Sequence, residues 1–193
     1  MSLPPLILAS VSPRRSELLE TLGLPFTVVA SQAEELAAEY LTARELAMVN
    51  AHRKARAVAK RHPDALVLGA DTVVALGDGV FGKPVDMEEA RVMLRALSGR
   101  THQVVTGMAL IHLRGYEERL VAEMTEVRFR LLSEGEIRGY LERIQPLDKA
   151  GAYAIQDHGE LIVEEVKGSF TNVIGLPMEL LREVLGGREA QSA

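Results

Sequence analysis

The sequence predicts an α/β fold: a mixed, twisted sheet with flanking helices and two lobes around a cleft. Three observations carry this. Strand-like apolar runs alternate with capped, helix-like segments along the whole chain. Two long runs, 103–113 and 119–130, are joined by the short link Arg114-Gly115-Tyr116-Glu117, a hairpin that makes the sheet more than purely parallel. The run from Ala65 to Leu76 is apolar on both faces except at its centre, as a strand inside a sheet is. At 193 residues, 47% hydrophobic and 25% charged, and with no linker, repeat or low-complexity stretch, residues 1–193 read as a single domain.

Each element has its own signal. The apolar run starting at Leu6 is a short strand, followed by a turn and a helix with Ser12 as N-cap and Pro13 at its first position. Leu18, Leu19 and Leu22 share a face of that helix, and Gly23 terminates it. Residues 26–30 alternate as a strand. Thr42 and Glu45 have capping-box spacing at the start of a helix reaching Arg61. After the Ala65–Leu76 strand, Gly77-Asp78-Gly79 turns into Val80-Phe81-Gly82, and Asp86 caps a helix running to Leu97. Ser133 and Glu136 start a helix to about Arg143. Short strands are expected over 153–155 and 161–163, and a last helix from about Pro177 to Gly186-Gly187, with the final few residues frayed.

Composition excludes several functions. The chain has no cysteine, which removes disulfides, thiolate nucleophiles and zinc–thiolate sites. Aromatics make up 4% with no Trp, and the formal net charge is −5, both against a nucleic-acid polymer as partner. A small anionic ligand suits an acidic chain with a few placed cations. No stretch of about 18 apolar residues predicts a membrane span, and the N-terminal apolar run is broken by Pro4-Pro5 with no preceding Lys or Arg. A cytoplasmic location is expected.

The candidate chemistry sits at a few positions. Arg14 and Arg15 lie in the first turn of a helix, where a cation is disfavoured by roughly 0.3–1 kcal/mol. With the unpaired N–H groups of that turn and the hydroxyls of Ser10 and Ser12, they suit a phosphate, although two solvated arginines are a common surface feature. Asp71 interrupts the apolar central strand, either bonded to backbone N–H groups or acting as a Mg2+ ligand or general base, with the Thr72 hydroxyl facing the other way. Glu34-Glu35 matters only if the fold brings it to Asp71. Lys54 shares its helix with Arg53 and Arg56, the pattern of a solvated basic face. Lys83 stands between Gly82 and Pro84, which fix the backbone around it. The five histidines have no metal-ligand spacing, and the P-loop, dinucleotide-fold and nucleophile-elbow motifs are absent.

Taken in order, these pieces resemble the Maf family of nucleoside triphosphate pyrophosphatases, also called septum-formation-inhibitor-like proteins. The matching residues are 8–15 (LASVSPRR), Lys54-Ala55, 69–74 (GADTVV), Gly82-Lys83-Pro84, 98–102 (SGRTH), Thr106-Gly107, 148–153 (DKAGAY), Ile155-Gln156 and 168–177 (GSFTNVIGLP). The resemblance implies a fold related to the inosine triphosphate pyrophosphatases, and often a homodimer. It also implies hydrolysis of a nucleoside triphosphate to monophosphate and pyrophosphate with a divalent cation, Mg2+ or Mn2+. It makes Asp71 the acid that activates water and Glu35 its partner at the metal. Arg14, Arg15, Lys54 and Lys83 become the triphosphate-binding cations, joined by Ser10. Arg14, Thr72 and Gln156 fall at the specificity positions of the dTTP/UTP-preferring subfamily. The alternatives are 7-methyl-GTP or a modified nucleotide as substrate, or a non-catalytic, nucleotide-binding regulator of cell division. Ala154 stands where the dTTP/UTP subfamily commonly has glycine.

Overall fold

Three helices begin where their caps predict. In the computed structural model, which describes residues 4–38 and 40–191, Thr42 and Glu45 close a reciprocal capping box on α2 (Ala43–Ala59). Asp86 accepts the Glu89 N–H at the start of α3 (Met87–Leu97), and Ser133 and Glu136 form a second capping box on α4 (Glu134–Leu141). The first helix, α1 (Pro13–Glu20), differs: Ser12 holds the N-cap position but its hydroxyl makes no capping bond. The first-turn N–H groups of α1 therefore lack a side-chain cap.

The strands are β1 (Leu6–Leu8), β2 (Phe26–Val28), β3 (Leu66–Leu76), β4 (Gly79–Phe81), β5 (Thr101–His112), β6 (Glu117–Phe129) and β7 (Val163–Lys167). They form one mixed sheet in the order β2-β1-β3-β5-β6-β7, with β4 added to the far end of β3. β1 runs parallel to β2 and β3, and the remaining pairs are antiparallel. β1 leaves β3 at Leu68, and β4 joins only at Val74. Between those points no strand among the described residues pairs with β3 on that side.

The two faces of the sheet are covered differently. Ala51, Ala55, Val58 and Ala59 of α2 pack on Ile7, Val67, Ala109 and Ile111. Small residues permit this close approach. A Cβ on Gly69 would lie 2.7 Å from the Ala55 nitrogen, and one on Gly107 would lie 2.6 Å from the Met48 nitrogen. On the other face, α1 and α6 (Met178–Gln191) bury Leu19, Leu176 and Leu181 against Leu8, Leu68 and Met108. A second cluster there joins α3 and α4 to Val74, Val104 and Phe129.

The expected strand over 153–155 is absent. Its apolar side chains are buried, but the Ala154 N–H and C=O are both bonded to the Tyr140 hydroxyl rather than to a strand. The strand expected over 161–163 begins at Val163, after a single 3-10 turn, Gly159–Leu161. A short helix, α5 (Phe170–Ile174), capped by Ser169, lies in a stretch for which no element is expected. The last helix does not stop at Gly186-Gly187 but continues to Gln191. Packing of its Leu181 face outweighs the helix cost of glycine, roughly 1 kcal/mol per residue. The expected fraying concerns residues whose side chains, or in the case of 192–193 whole residues, lie outside the described set. No helix among the described residues is long and apolar enough to cross a membrane.

Candidate active site

A cleft of about 510 Å3 opens beside the stretch of β3 that β1 and β4 leave unpaired. This is the usual position for ligands in sheets with parallel strands, beyond a strand's carboxyl end. Among its lining residues are all the predicted positions: Ser10, Arg14, Arg15, Glu35, Lys54, Asp71, Thr72, Lys83 and Gln156. The fold divides them into two groups, one on each side of β3.

On the α2 side, Asp71 is 5% exposed. It shares this face of the sheet with Gly69 and with Gly107, its cross-strand partner. The missing side chains at those glycines let α2 come close enough for Lys54 Nζ to sit 2.5 Å from Asp71 Oδ1. The same ammonium donates to Glu35 Oε1 at 2.6 Å, and Lys83 Nζ, past β4, donates to that oxygen at 3.1 Å. Lys54 is therefore no part of a solvated basic face. Burial pushes the Glu35 carboxyl up, but hydrogen bonding and charge from Lys54, then Lys83, outweigh it and hold the group down at about 2.

Asn50 organises this side. Its amide exchanges two hydrogen bonds with the Leu36 backbone, at 2.8 and 3.2 Å, and its Nδ2 lies 3.3 Å from Asp71 Oδ2. It thus fastens the irregular segment bearing Glu35 onto the helix bearing Lys54. Sequence reasoning missed it. The available signal was a buried-pattern Asn one turn before Lys54, on the helix face otherwise made by Ala47, Ala51 and Ala55.

On the opposite side, Arg15 is anchored at three points. Nε donates to the Gly175 carbonyl at 2.8 Å, Nη1 to Ser10 Oγ at 3.3 Å and Nη2 to Thr72 Oγ1 at 3.1 Å. Thr72 also pairs with Thr106 at 2.9 Å, whose hydroxyl reaches the Asn172 carbonyl. Burial pulls Arg15 below the ordinary arginine value, and the Asp71 charge acts against that shift. Arg14 reaches across the cleft to Asp148, 2.9 Å from Oδ2. Asp148 also takes a hydrogen bond from the buried Lys149 ammonium at 2.7 Å. Burial pushes the Asp148 carboxyl up, but the Lys149 and Arg14 hydrogen bonds win and lower it. Neither Asp148 nor Lys149 stood out as charged in the sequence: the partner that brings Asp148 into the cleft, Arg14, lies far away along the chain, and Lys149 is bonded only to its near neighbours Gln145 and Asp148. Gln156 lines the cleft with its amide 3.5 Å from Asp157 Oδ2, a weak contact that leaves the amide available.

Five cationic side chains line the cleft against three carboxylates, a local surplus of two positive charges in a protein of net charge −5. Such a site selects a multiply charged anion. Among the described residues no three His, Asp or Glu side chains meet as a metal-binding group. Asp71 and Glu35 nevertheless converge on one cationic point, now the Lys54 ammonium. Two carboxylates plus substrate phosphates form the donor set typical of Mg2+, so the residues fit a metal shared with a phosphorylated ligand.

The chain is similar throughout its length to known proteins. It is 50% identical over 185 residues to the dTTP/UTP pyrophosphatase of Akkermansia muciniphila, covering 96% of this chain and 97% of that one. The dTTP/UTP pyrophosphatase of Symbiobacterium thermophilum is 48% identical over 93% of this chain and 92% of its own. The protein of that name from Clostridioides difficile is 43% identical over 93% of each. The family model described as Maf-like protein matches residues 5–188, and with the site drawn from segments across that whole span, the chain belongs to the Maf family.

Proposed function

We propose that this chain hydrolyses dTTP and UTP to the monophosphate and pyrophosphate, with Mg2+ or Mn2+, as one catalytic domain that pairs as a homodimer. The observation that carries this reading is the Asp71–Lys54–Glu35 chain of contacts, at 2.5 and 2.6 Å, inside a cleft with surplus positive charge. The names of the relatives supply the substrates.

In this scheme Asp71 takes a proton from water as the water oxygen attacks the α-phosphorus, and the bond from that phosphorus to the α–β bridging oxygen breaks. Asp71 and Glu35 would hold a divalent cation, whose contribution would be to offset the negative charge of the phosphate oxygens. The developing charge on the departing pyrophosphate falls to Arg14, Arg15, Lys54 and Lys83. Arg15 suits this because its three internal bonds leave two of its five N–H donors for a ligand. Its anchoring also means that little side-chain freedom is lost on binding. Ser10 acts mainly through Arg15 and the Ser12 N–H, which both bond its hydroxyl. Thr72 likewise stands in a network with Arg15 and Thr106, and Gln156 presents both a donor and an acceptor to a pyrimidine edge.

The test is pyrophosphate release from dTTP, UTP, CTP, 7-methyl-GTP and the common purine triphosphates, with Mg2+ or Mn2+. Selective hydrolysis of dTTP and UTP, reduced at least ~1,000-fold in Asp71→Asn with folding intact, is the expected result. Hydrolysis of 7-methyl-GTP or another nucleotide alone overturns the substrate assignment. Nucleotide binding with no turnover under either metal favours a regulator. Sedimentation of the purified chain checks the homodimer.

A further inference from the structure

The wall of the cleft that carries Gln156 is fastened from behind by three hydrogen bonds. Tyr140 of α4 holds the Ala154 backbone, donating to its C=O and accepting from its N–H, both at 3.1 Å. His102 of β5 holds the neighbouring side chain, with Nε2 2.9 Å from the Tyr153 hydroxyl. His102 is 1% exposed and outside the cleft lining, whereas Tyr153 lines the cleft. Phe129 completes a mutually edge-on trio, with ring centroids 4.8, 5.5 and 4.9 Å apart.

Two details show that the segment is held rather than merely packed. Gly151 and Ala152, immediately before Tyr153, are both left-handed, at φ 69° and 62°. For alanine that conformation costs roughly 1–2 kcal/mol and persists only where surrounding contacts impose it. Burial lowers His102 to about 4, so the ring is neutral at working pH. Its Nδ1 is buried without a hydrogen-bond partner. A lone pair is tolerated there better than an N–H, which assigns the proton to Nε2 and makes His102 the donor to Tyr153.

We infer that His102 is a positioning residue that sets base discrimination, acting through Tyr153 to fix the cleft wall bearing Gln156. This rests on the nucleotide reading of the cleft. The cations assigned to the triphosphate, Arg14, Arg15, Lys54 and Lys83, lie on α1, α2 and the β4 loop, so loosening this wall changes how the base is read and leaves those contacts in place.

The experiment compares UTP with CTP for wild type, His102→Gln, His102→Leu, Tyr153→Phe and the double variant His102→Leu/Tyr153→Phe. Two quantities are read: kcat/KM for the triphosphates, and calorimetric Kd for UMP and CMP, which needs no turnover. Tyr153→Phe and His102→Leu each lower the UTP-to-CTP preference about three- to tenfold, the size of one net hydrogen bond, mainly through KM. The double variant loses no more than either single one. His102→Gln, whose amide N–H stands near the Nε2 position, restores most of the preference. Should His102→Leu fail to fold, Tyr153→Phe and the glutamine variant carry the test. An unchanged preference in Tyr153→Phe, with only Tm lowered, overturns the inference and leaves the proposed function standing. A wild type that neither hydrolyses nor binds any nucleotide overturns both.

Discussion

Glu35 and His102 titrate in opposite settings yet both make the protein acid-sensitive. Glu35 is held at about 2 in the folded chain, against an ordinary value of 4.5. Its contribution to stability is therefore complete above about pH 4.5 and is lost as the pH falls towards 2. His102 is neutral in the fold down to about 4, while the unfolded chain takes up that proton near 6.5. Stability from this group is complete above about pH 6.5 and is lost between there and 4. Urea unfolding from pH 7 to pH 4 should show a decline that His102→Gln flattens, and the Glu35 decline should begin only at the acid end of that range, near pH 4.5, and continue below it. A His102→Gln variant that loses stability as steeply as wild type between pH 6.5 and 4 contradicts the assignment. Arg14, Arg15 and Asp71 stood out because charges at a helix start or inside an apolar strand are locally conspicuous, and Lys83 because Gly82 and Pro84 flank it. Lys54 read as a solvated basic face and was picked out only by the family resemblance. Asn50 was not, since a single Asn on a helix conveys only weak propensity until the Leu36 backbone is seen against it.

At the scale of elements, the distance from α2 to β3 decides whether Lys54 reaches Asp71. Gly107→Ala places a methyl against the Ala47 and Met48 backbone, which cannot rotate aside as a side chain can. The helix must move, and overpacking of this kind costs ~1–3 kcal/mol. At ~2–4 °C per kcal/mol for a chain of this length, Tm should fall by ~2–12 °C. Turnover should fall further than the lost folded population explains, because the Lys54–Asp71 contact opens. A normal kcat in folded Gly107→Ala would show that this spacing is not critical. The pairing of α1 with residues 146–149 makes a second prediction. In the free protein the Asp148 carboxylate occupies Arg14 and Lys149, so pyrophosphate binding must displace it. Asp148→Asn should tighten pyrophosphate by about two- to fivefold in calorimetry, an exposed pair being worth under ~1 kcal/mol. Weaker binding would mean that Asp148 orients Arg14 instead. Caps and strand periods, being local, made α2, α3, α4 and the β5–β6 hairpin legible in advance. The segment 153–155 was misread as a strand because its backbone partner is a tyrosine hydroxyl on another element.

The whole molecule separates two jobs between the faces of one sheet. Small residues on the α2 side bring opposite charges together at Asp71, and larger side chains on the other side build the cores under α1, α3, α4 and α6. What the sequence could not display is that the cleft opens on the flank of β3 from Gly69 to Val73, where neither β1 nor β4 lies alongside. An uncovered strand flank is elsewhere an invitation to β-pairing with another chain. Here it borders a charged recess, which Asp71, Thr72 and Val74 of the strand line. Slow-exchange measurements should report that difference. Amides of β3 that face the recess should exchange faster than those bonded to β5, and should slow when pyrophosphate fills it. A bound polyphosphate then serves the sheet as a substitute neighbour, and loss of ligand exposes the same few amides as the first place where solvent enters the centre of the fold.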